Sequence, residues 1–226
     1  AIVQLRKVQD TLTRMGKTFV FLYAPSKAYY FAAQLPSPPR GVIPGAPTNY
    51  ATFKRLATAA GINQIDYNSW FLAMKDTSRH LLFSRLGIHW TMYGSLVAAD
   101  SFIRYIEHAR NIQLPDLQWT EVEQTDIPRR TDDDLAAGLN LIYPLKPEHF
   151  SYPRFSYNHD GNKTMPRILY IGDSFLWVWL YDELMPAISK EFDIWYYFVE
   201  AWNQNTIQGK EPPGRVDNID WKSKLM

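Results

Sequence analysis

The spacing of apolar residues predicts a chain in which helices alternate with buried strands. Leu5, Val8, Leu12 and Met15 recur at helical spacing, so residues 2–15 read as an amphipathic helix. The other predicted helices are 49–60, 93–109 and 176–189. Short apolar runs predict the strands 18–24, 62–67, 167–172 and 193–199. This alternation favours an α/β fold whose parallel sheet is covered on both faces.

Other stretches lack this periodicity. Residues 35–47 are rich in Pro and Gly and predict a loop. Residues 111–165 combine Pro with many charges, so we interpret them as an irregular insertion or active-site rim with one short helix near 132–139. The polar residues 210–226 predict a poorly ordered tail. Residues 1–209 are therefore expected to form one domain.

Composition narrows the possible functions. The 24 basic and 23 acidic residues give a net charge of +1, which offers no electrostatic footprint for nucleic acid. No apolar run approaches the roughly 20 residues that a membrane helix needs. The absence of Cys excludes disulfides, thiolate zinc sites and cysteine nucleophiles, and no other cluster predicts a metal or a cofactor. Because the chain opens on AIVQLRKVQD without Met, we interpret it as a domain excised from a longer protein.

The candidate chemistry centres on Ser174, which follows the predicted strand 167–172 and precedes a helix. In α/β sheets, ligand sites lie at the carboxyl ends of the strands. A serine there is either a helix N-cap or a nucleophile, and a nucleophile needs a neighbouring base and donors for the developing oxyanion. Of the five histidines, His89 has the most suggestive context, because HWTMYG (89–94) immediately precedes an amphipathic helix. The pairing of these two motifs favours catalysis over capping.

The two motifs resemble those of a known family. Gly172-Asp173-Ser174-Phe175 resembles the nucleophile block of the SGNH hydrolase superfamily, and HWTMYG followed by a helix resembles its histidine block. A histidine block that precedes the serine block is typical of the alginate O-acetyltransferase group. Further stretches that match this group are FLYAPSKAYYF (21–31), TNYATFKRLATAAGINQIDYNSWF (48–71) and DLAAGLNL (134–141). The resemblance implies a three-layer SGNH-hydrolase-like domain with a central parallel sheet and a circularly permuted motif order.

The resemblance also implies a function. It suggests a serine-dependent O-acetyltransferase that uses His89 to activate Ser174 and passes an acetyl group, through an acyl-enzyme, onto hydroxyls of an exported or cell-envelope polysaccharide. It further implies an extracytoplasmic location, a membrane anchor in a missing N-terminal segment, and a membrane-bound acyltransferase that supplies the acetyl group. A carbohydrate acetyl esterase of the same fold and a catalytically inactive polysaccharide-binding module stay open as alternatives.

One position departs from the family pattern. The family often has Asp two residues before the histidine, whereas this chain has Gly87 there. The carboxylate that orients the imidazole must then come from elsewhere, and its loss costs about 10⁴-fold in a serine protease. We favour Asp173 for this role, with Asp66 and Asp76 as alternatives. A catalytic dyad and an inactive site are also open.

The remaining candidate residues would bind the oxyanion or the substrate. The backbone N–H of Ser174 is the first candidate oxyanion donor, and Asn203 is the candidate side-chain donor. Trp90, together with Trp177 and Trp179, would line a groove, although packing in the core is the default for each. The full set of candidate oxyanion or substrate contacts is Gly172, Asn203, Trp90, Ser26 and Lys27, the last two belonging to a family-like Pro-Ser-Lys.

Overall fold

The chain folds as two compact units, Ala1–Ser78 and Arg79–Met226. The computed structural model describes residues 1–35, 46–143 and 145–218. Most of the predicted loop 35–47 and the end of the predicted tail therefore lie outside the described residues. The expectation that residues 1–209 form a single domain stays a prediction.

The first unit contains one parallel pair of strands. Its elements are α1 (Ile2–Arg14), β1 (Phe21–Tyr23), α2 (Lys27–Tyr30), α3 (Asn49–Ala59), β2 (Gln64–Asp66) and α4 (Tyr67–Met74). The strands β1 and β2 pair in parallel. Ala57, Tyr67 and Phe71 are fully buried and form the core on which these short elements pack. Helix α3 begins after Thr48, whose side chain accepts the N–H of Ala51.

The second unit carries the two sequence motifs. Its first elements are α5 (Met92–Arg110), β3 (Asp116–Thr125), α6 (Asp134–Gly138), β4 (Phe150–Asn158) and β5 (Arg167–Gly172). They are followed by α7 (Phe175–Tyr181), α8 (Leu184–Ile188), β6 (Glu191–Tyr196), β7 (Glu200–Trp202), α9 (Gln204–Ile207) and β8 (Gly214–Arg215). Strand β5 has the bounds that the sequence predicted, and α5 differs from its predicted bounds by one residue at each end.

A four-stranded sheet in the order β5-β6-β7-β8 positions the serine motif. Strands β5 and β6 are parallel, with Gly172 opposite Tyr196 at their carboxyl ends. Strand β7 pairs antiparallel with β6, to which a short turn joins it, and β8 pairs antiparallel with β7 after a longer connection that contains α9. The predicted parallel pairing is thus present in β1–β2 and β5–β6, and the sheet of the second unit is mixed.

The region predicted as irregular, 111–165, contains a long antiparallel pair of strands. Strands β3 and β4 pair over most of their length, with a register shift between Trp119 and Val122. Pro153 lies opposite Val122, beside this irregularity, where a missing backbone N–H is tolerated. Charge and Pro obscured the strands in the sequence, and burial of Phe150 and Tyr152 on β4 holds them in place.

The predicted helix 176–189 is broken into α7 and α8. Asp182 ends α7 with its side chain buried, and Glu183 adopts a left-handed conformation with φ of 59°. The carboxylate of Asp182 pairs with Arg130 at 2.7 Å. This tertiary contact fixes the break, which helical periodicity alone does not reveal. Part of the predicted tail is also ordered, since β8 pairs with β7.

The glycine of the histidine motif allows a close backbone contact. Thr91 caps α5 by accepting the N–H of Gly94 at 3.1 Å. A Cβ atom at Gly94 would overlap the carbonyl oxygen of Leu82. The first turn of α5 therefore lies directly against the backbone that precedes His89, and only glycine fits there.

We expect Gly94→Ala to destabilise the protein by about 2 to 3 kcal/mol, because backbone must move to admit the methyl group. The matched control is Gly138→Ala, where a Cβ meets no heavy atom within 4 Å, so stability should be unchanged or slightly higher. Thermal unfolding followed by circular dichroism compares the two. Equal melting temperatures for the two variants would contradict the steric explanation.

Candidate active site

The hydroxyl of Ser174 meets the imidazole of His89 just beyond the carboxyl end of β5. The distance from Ser174 Oγ to His89 Nε2 is 2.8 Å. Ser174 occupies the N-cap position of α7, but its side chain makes no capping hydrogen bond. His89 is 7% exposed and packs edge-on against Phe175, with ring centroids 5.0 Å apart. The serine side chain is thus directed to the histidine and does not serve the helix.

The second nitrogen of His89 contacts Asp134, the first residue of α6. His89 Nδ1 lies 2.6 Å from Asp134 Oδ2, and Asp134 Oδ1 accepts the backbone N–H of Ile88 at 2.7 Å. A carboxylate accepts only, so Nδ1 carries the proton and Nε2 is free to accept from Ser174 Oγ. The three side chains have the connectivity of a serine–histidine–carboxylate triad.

This arrangement corrects the expected source of the carboxylate. Asp173, the favoured candidate, uses Oδ1 to accept the N–H of Phe175 at 3.1 Å, a local bond of the turn. Asp66 caps α4 through the N–H of Ser69 and pairs with Lys54. Asp76 is exposed to solvent. The residue that touches His89 Nδ1 is Asp134, which sequence analysis did not single out.

Gly87 explains how Asp134 reaches the histidine. A Cβ atom at Gly87 would lie 2.7 Å from the carbonyl oxygen of Asp132 and 2.8 Å from that of Thr131. The backbone before α6 therefore occupies the space that a side chain at position 87 would need. Asp134, two residues farther along the same segment, is brought to the imidazole. An Asp side chain at position 87 and this path of the backbone exclude each other sterically.

Two further contacts hold this segment in register. The N–H of Ala136 donates to the carbonyl of Leu86 at 2.8 Å, and the N–H of Met92 donates to Asp132 Oδ1 at 3.2 Å. Leu86 also belongs to a buried cluster with Phe150 and Tyr152 of β4, and Ala136 packs against this cluster. The available sequence signals were the run of three aspartates at 132–134 and the family-like DLAAGLNL, which begins at Asp134.

Two buried carboxylates flank the site. Burial raises the pKa of Asp132 to about 6, although the Tyr152 hydroxyl and the Met92 N–H favour its charged form. Burial likewise raises the pKa of Asp182 to about 7, even though Arg130 pairs with it. Arg130 also donates to the carbonyl of Tyr181 at the end of α7. The segment that carries Asp134 is thus fixed to both α5 and α7.

The other predicted contacts are occupied elsewhere, except for Gly172. Asn203 accepts the N–H groups of Asn205 and Thr206 as the cap of α9 and donates to Glu211. Trp90 is 1% exposed and stacks on the buried Trp179 with ring centroids 5.4 Å apart, so both pack in the core.

Ser26 and Lys27 lie in the first unit. Ser26 caps α2 by accepting the N–H of Tyr29, and the Lys27 amine lies 5.4 Å from the ring centroid of Phe31. Gly172 ends β5, two residues before the nucleophile candidate. Of the candidate contacts, Gly172 is therefore the one that the sheet places beside Ser174.

The sequence predicts neither a metal site nor a membrane-spanning helix. Within the described ranges, no group of three or more His, Asp or Glu side chains could hold a metal ion. In the part of the chain with described structure, no helix is long and apolar enough to cross a membrane.

Comparison with known proteins identifies a family and a fold. A family model described as SGNH hydrolase-like domain, acetyltransferase AlgX, matches residues 2–176. No curated protein sequence matches this chain significantly. The O-acetyltransferase domain of Pseudomonas putida AlgJ superimposes with a TM-score of 0.57 at 18% identity, covering 86% of this chain and 68% of its own.

Two further solved structures share the fold. Pseudomonas aeruginosa AlgX gives a TM-score of 0.53 at 16% identity, and the match covers 86% of this chain and 48% of AlgX. Bacillus cereus PatB1 with a sulfonyl adduct gives 0.51 at 12% identity, covering 85% of this chain and 79% of its own. The predicted SGNH-hydrolase-like α/β fold is confirmed. The permuted order of the motifs stays a prediction.

We expect a strongly downfield imidazole proton in the ¹H NMR spectrum, arising from Nδ1–H of His89 bonded to Asp134. Asp134→Asn should abolish this signal. Gly87→Ala should weaken or abolish it in a folded protein, because the methyl group displaces the segment before α6. Asp173→Asn is the matched control and should retain it. A signal lost in Asp173→Asn and kept in Asp134→Asn would contradict the assignment.

The raised pKa of Asp182 predicts a pH-dependent loss of stability. The folded state holds the proton of the Asp182 carboxyl more tightly than the unfolded chain does. The stability that this proton contributes is therefore complete below about pH 4 and is lost as the pH rises toward 7. As the pH is raised from 4 to 8, the free energy of unfolding of Asp182→Asn should therefore rise by about 2 to 4 kcal/mol relative to that of the parent. Urea unfolding at several pH values measures this difference, and a difference independent of pH would contradict the prediction.

Proposed function

This chain belongs to the SGNH hydrolase-like acetyltransferase family of AlgX, and we propose that it transfers acetyl groups through Ser174 onto hydroxyls of an exported or cell-envelope polysaccharide. The observation that carries the proposal is the continuous path of contacts from Ser174 Oγ through both nitrogens of His89 to Asp134. These contacts supply a nucleophile, a base and a carboxylate that holds the base in the correct tautomer.

The first half of the reaction forms an acetyl-enzyme. His89 Nε2 accepts the hydroxyl proton of Ser174 while Oγ attacks the carbonyl carbon of an acetyl ester. The tetrahedral intermediate then expels the donor's alcohol, which takes the proton back from the imidazolium. Asp134 stabilises the imidazolium during both proton transfers, and its own charge is unchanged.

The second half passes the acetyl group to a sugar. A hydroxyl of the polysaccharide gives its proton to His89 Nε2 and attacks the acetyl carbon on Ser174. Collapse of the intermediate releases the acetylated sugar, and the serine recovers its proton from His89. The backbone N–H of Ser174 is our proposed oxyanion donor. Asn203 is not proposed for this role, because its side-chain amide caps α9 and bonds Glu211.

The proposal extends to the setting of the reaction. We propose an extracytoplasmic domain that is joined to the membrane through a segment outside this chain. We further propose that a membrane-bound acyltransferase supplies the acetyl group to Ser174. Both are proposals for the whole protein, and they rest on the resemblance of the two motifs to those of the alginate O-acetyltransferase group.

We expect Ser174→Ala and His89→Ala to lower aryl acetate turnover by about 10³-fold or more and Asp134→Asn by about 10²- to 10⁴-fold. In the parent, intact-mass analysis with peptide mapping should locate an acetyl adduct on Ser174. The physical reason is that the reaction needs the nucleophile, its base and the base's orienting carboxylate together.

The matched control is Asp133→Asn, the same substitution one residue from Asp134, where the side chain makes no capping bond. Its turnover should stay close to that of the parent. A loss in Asp173→Asn as large as that in Asp134→Asn would restore the assignment made from sequence. Absence of both turnover and adduct in the parent would favour the inactive polysaccharide-binding module.

A further inference from the structure

The turn between β6 and β7 is built from two aromatic residues in a left-handed conformation. Tyr197 and Phe198 have φ of 47° and 60°, and the N–H of Val199 donates to the carbonyl of Tyr196 at 2.9 Å. Positive φ at both central residues of such a turn is the signature of type I′. Among the described residues, these two are the only adjacent pair of non-glycine residues with positive φ.

Local conformational preference argues against Tyr-Phe at this turn. Type I′ turns favour Asn-Gly, and a left-handed conformation costs a bulky residue roughly 1 to 2 kcal/mol. Burial of the rings does not offset this cost, because Tyr197 is 59% exposed and Phe198 is 63% exposed. The ring of Tyr197 lies tilted against that of Tyr196, with centroids 4.6 Å apart, and the ring of Phe198 meets that of Trp195 edge-on at 5.7 Å. A side chain retained against local preference and without burial indicates a role outside the fold.

The turn lies at the same edge of the sheet as the nucleophile. The N–H of Tyr197 donates to the carbonyl of Gly172 at 2.8 Å, and Gly172 precedes Ser174 by two residues. The aromatic surface continues toward the nucleophile's helix, since the ring of Tyr196 lies 5.2 Å from that of Trp177 on α7. An occupant of this surface would therefore lie at the carboxyl ends of β5 and β6, where Ser174 is also found.

We propose that Tyr197 and Phe198 form a stacking platform for a sugar ring of the acceptor polysaccharide, an inference that rests on the proposed function. One face of a pyranose ring presents C–H groups that pack on an aromatic face, while its hydroxyls stay in water. The surface consists of two exposed rings and the exposed side chain of Val199. A surface of this size is too small for the interface of a stable protein complex. Bound there, the sugar chain would present a neighbouring residue's hydroxyl to the acetyl-enzyme.

The test replaces the aromatic turn by the residues that type I′ geometry prefers. The double variant Tyr197→Asn/Phe198→Gly should fold with an equal or higher melting temperature. With p-nitrophenyl acetate as donor, cellohexaose and a mannuronate hexasaccharide serve as neutral and anionic acceptors. We expect the parent to acetylate at least one of them. The ratio of sugar acetylation to hydrolysis should fall about tenfold in the variant, through a higher KM for the acceptor.

The control Tyr143→Asn removes an exposed ring from the connection between α6 and β4 and should keep the parent's ratio. An unchanged ratio in the double variant would overturn the platform, as would a parent that hydrolyses the aryl acetate but acetylates neither sugar. A lowered melting temperature with parallel loss of hydrolysis and transfer would mean that the turn supports the fold.

The platform and the proposed function fail in different ways. If the parent shows no aryl acetate turnover, the proposed chemistry fails. Quenching of intrinsic fluorescence by the two hexasaccharides then decides the platform separately. Saturable binding that is weakened in the double variant supports it, and equal binding or no binding overturns it.

Discussion

The contact between Gly87 and the backbone before α6 is the constraint on which the active site depends. Without a Cβ at position 87, the carbonyl groups of Thr131 and Asp132 come close enough for Asp134 to reach His89. The buried apolar cluster that contains Leu86 also packs against Ala136 of the same segment. The tautomer of His89, and through it the hydrogen bond to Ser174, follows from this packing. A catalytic carboxylate is therefore specified by where its oxygen lies, whichever position in the sequence supplies it.

The segment that carries Asp134 is held in place by two carboxyl groups whose burial disfavours their charged form. Asp132 and Asp182 are almost completely buried, and their pKa values are raised to about 6 and about 7. Buried ionisable groups of this kind reduce stability near neutral pH, since the charged form is poorly solvated. The same groups attach the segment to the ends of α5 and α7. The contacts that fix the site therefore lower the stability of the fold, as is common at functional sites.

The missing motif residue at position 87 has a structural interpretation that bears on function. From sequence, Gly87 and the aromatic content were the reasons to consider an inactive polysaccharide-binding module. The contact between Asp134 and His89 removes the first reason, because a carboxylate occupies the required place. The aromatic turn beyond β6 adds a second departure from local preference at the same sheet edge. Gly87 lies two residues before His89, and the turn bonds Gly172, two residues before Ser174. Local rules are most often overridden at functional sites.

The sequence by itself determined the features that depend on neighbouring residues. Strand β5, helix α5 and the positions of Ser174 and His89 at their ends were all predicted, because periodicity and motif are local signals. The strands β3 and β4 were missed, since the partner of each is remote in sequence and charges hide their alternation. Asp134 lies 45 residues from His89. The family-like DLAAGLNL begins at Asp134, but this local signal does not indicate contact with a histidine so remote in sequence. Only the tertiary packing against Gly87 decided which carboxylate meets the imidazole, because that choice depends on backbone clearance between distant segments.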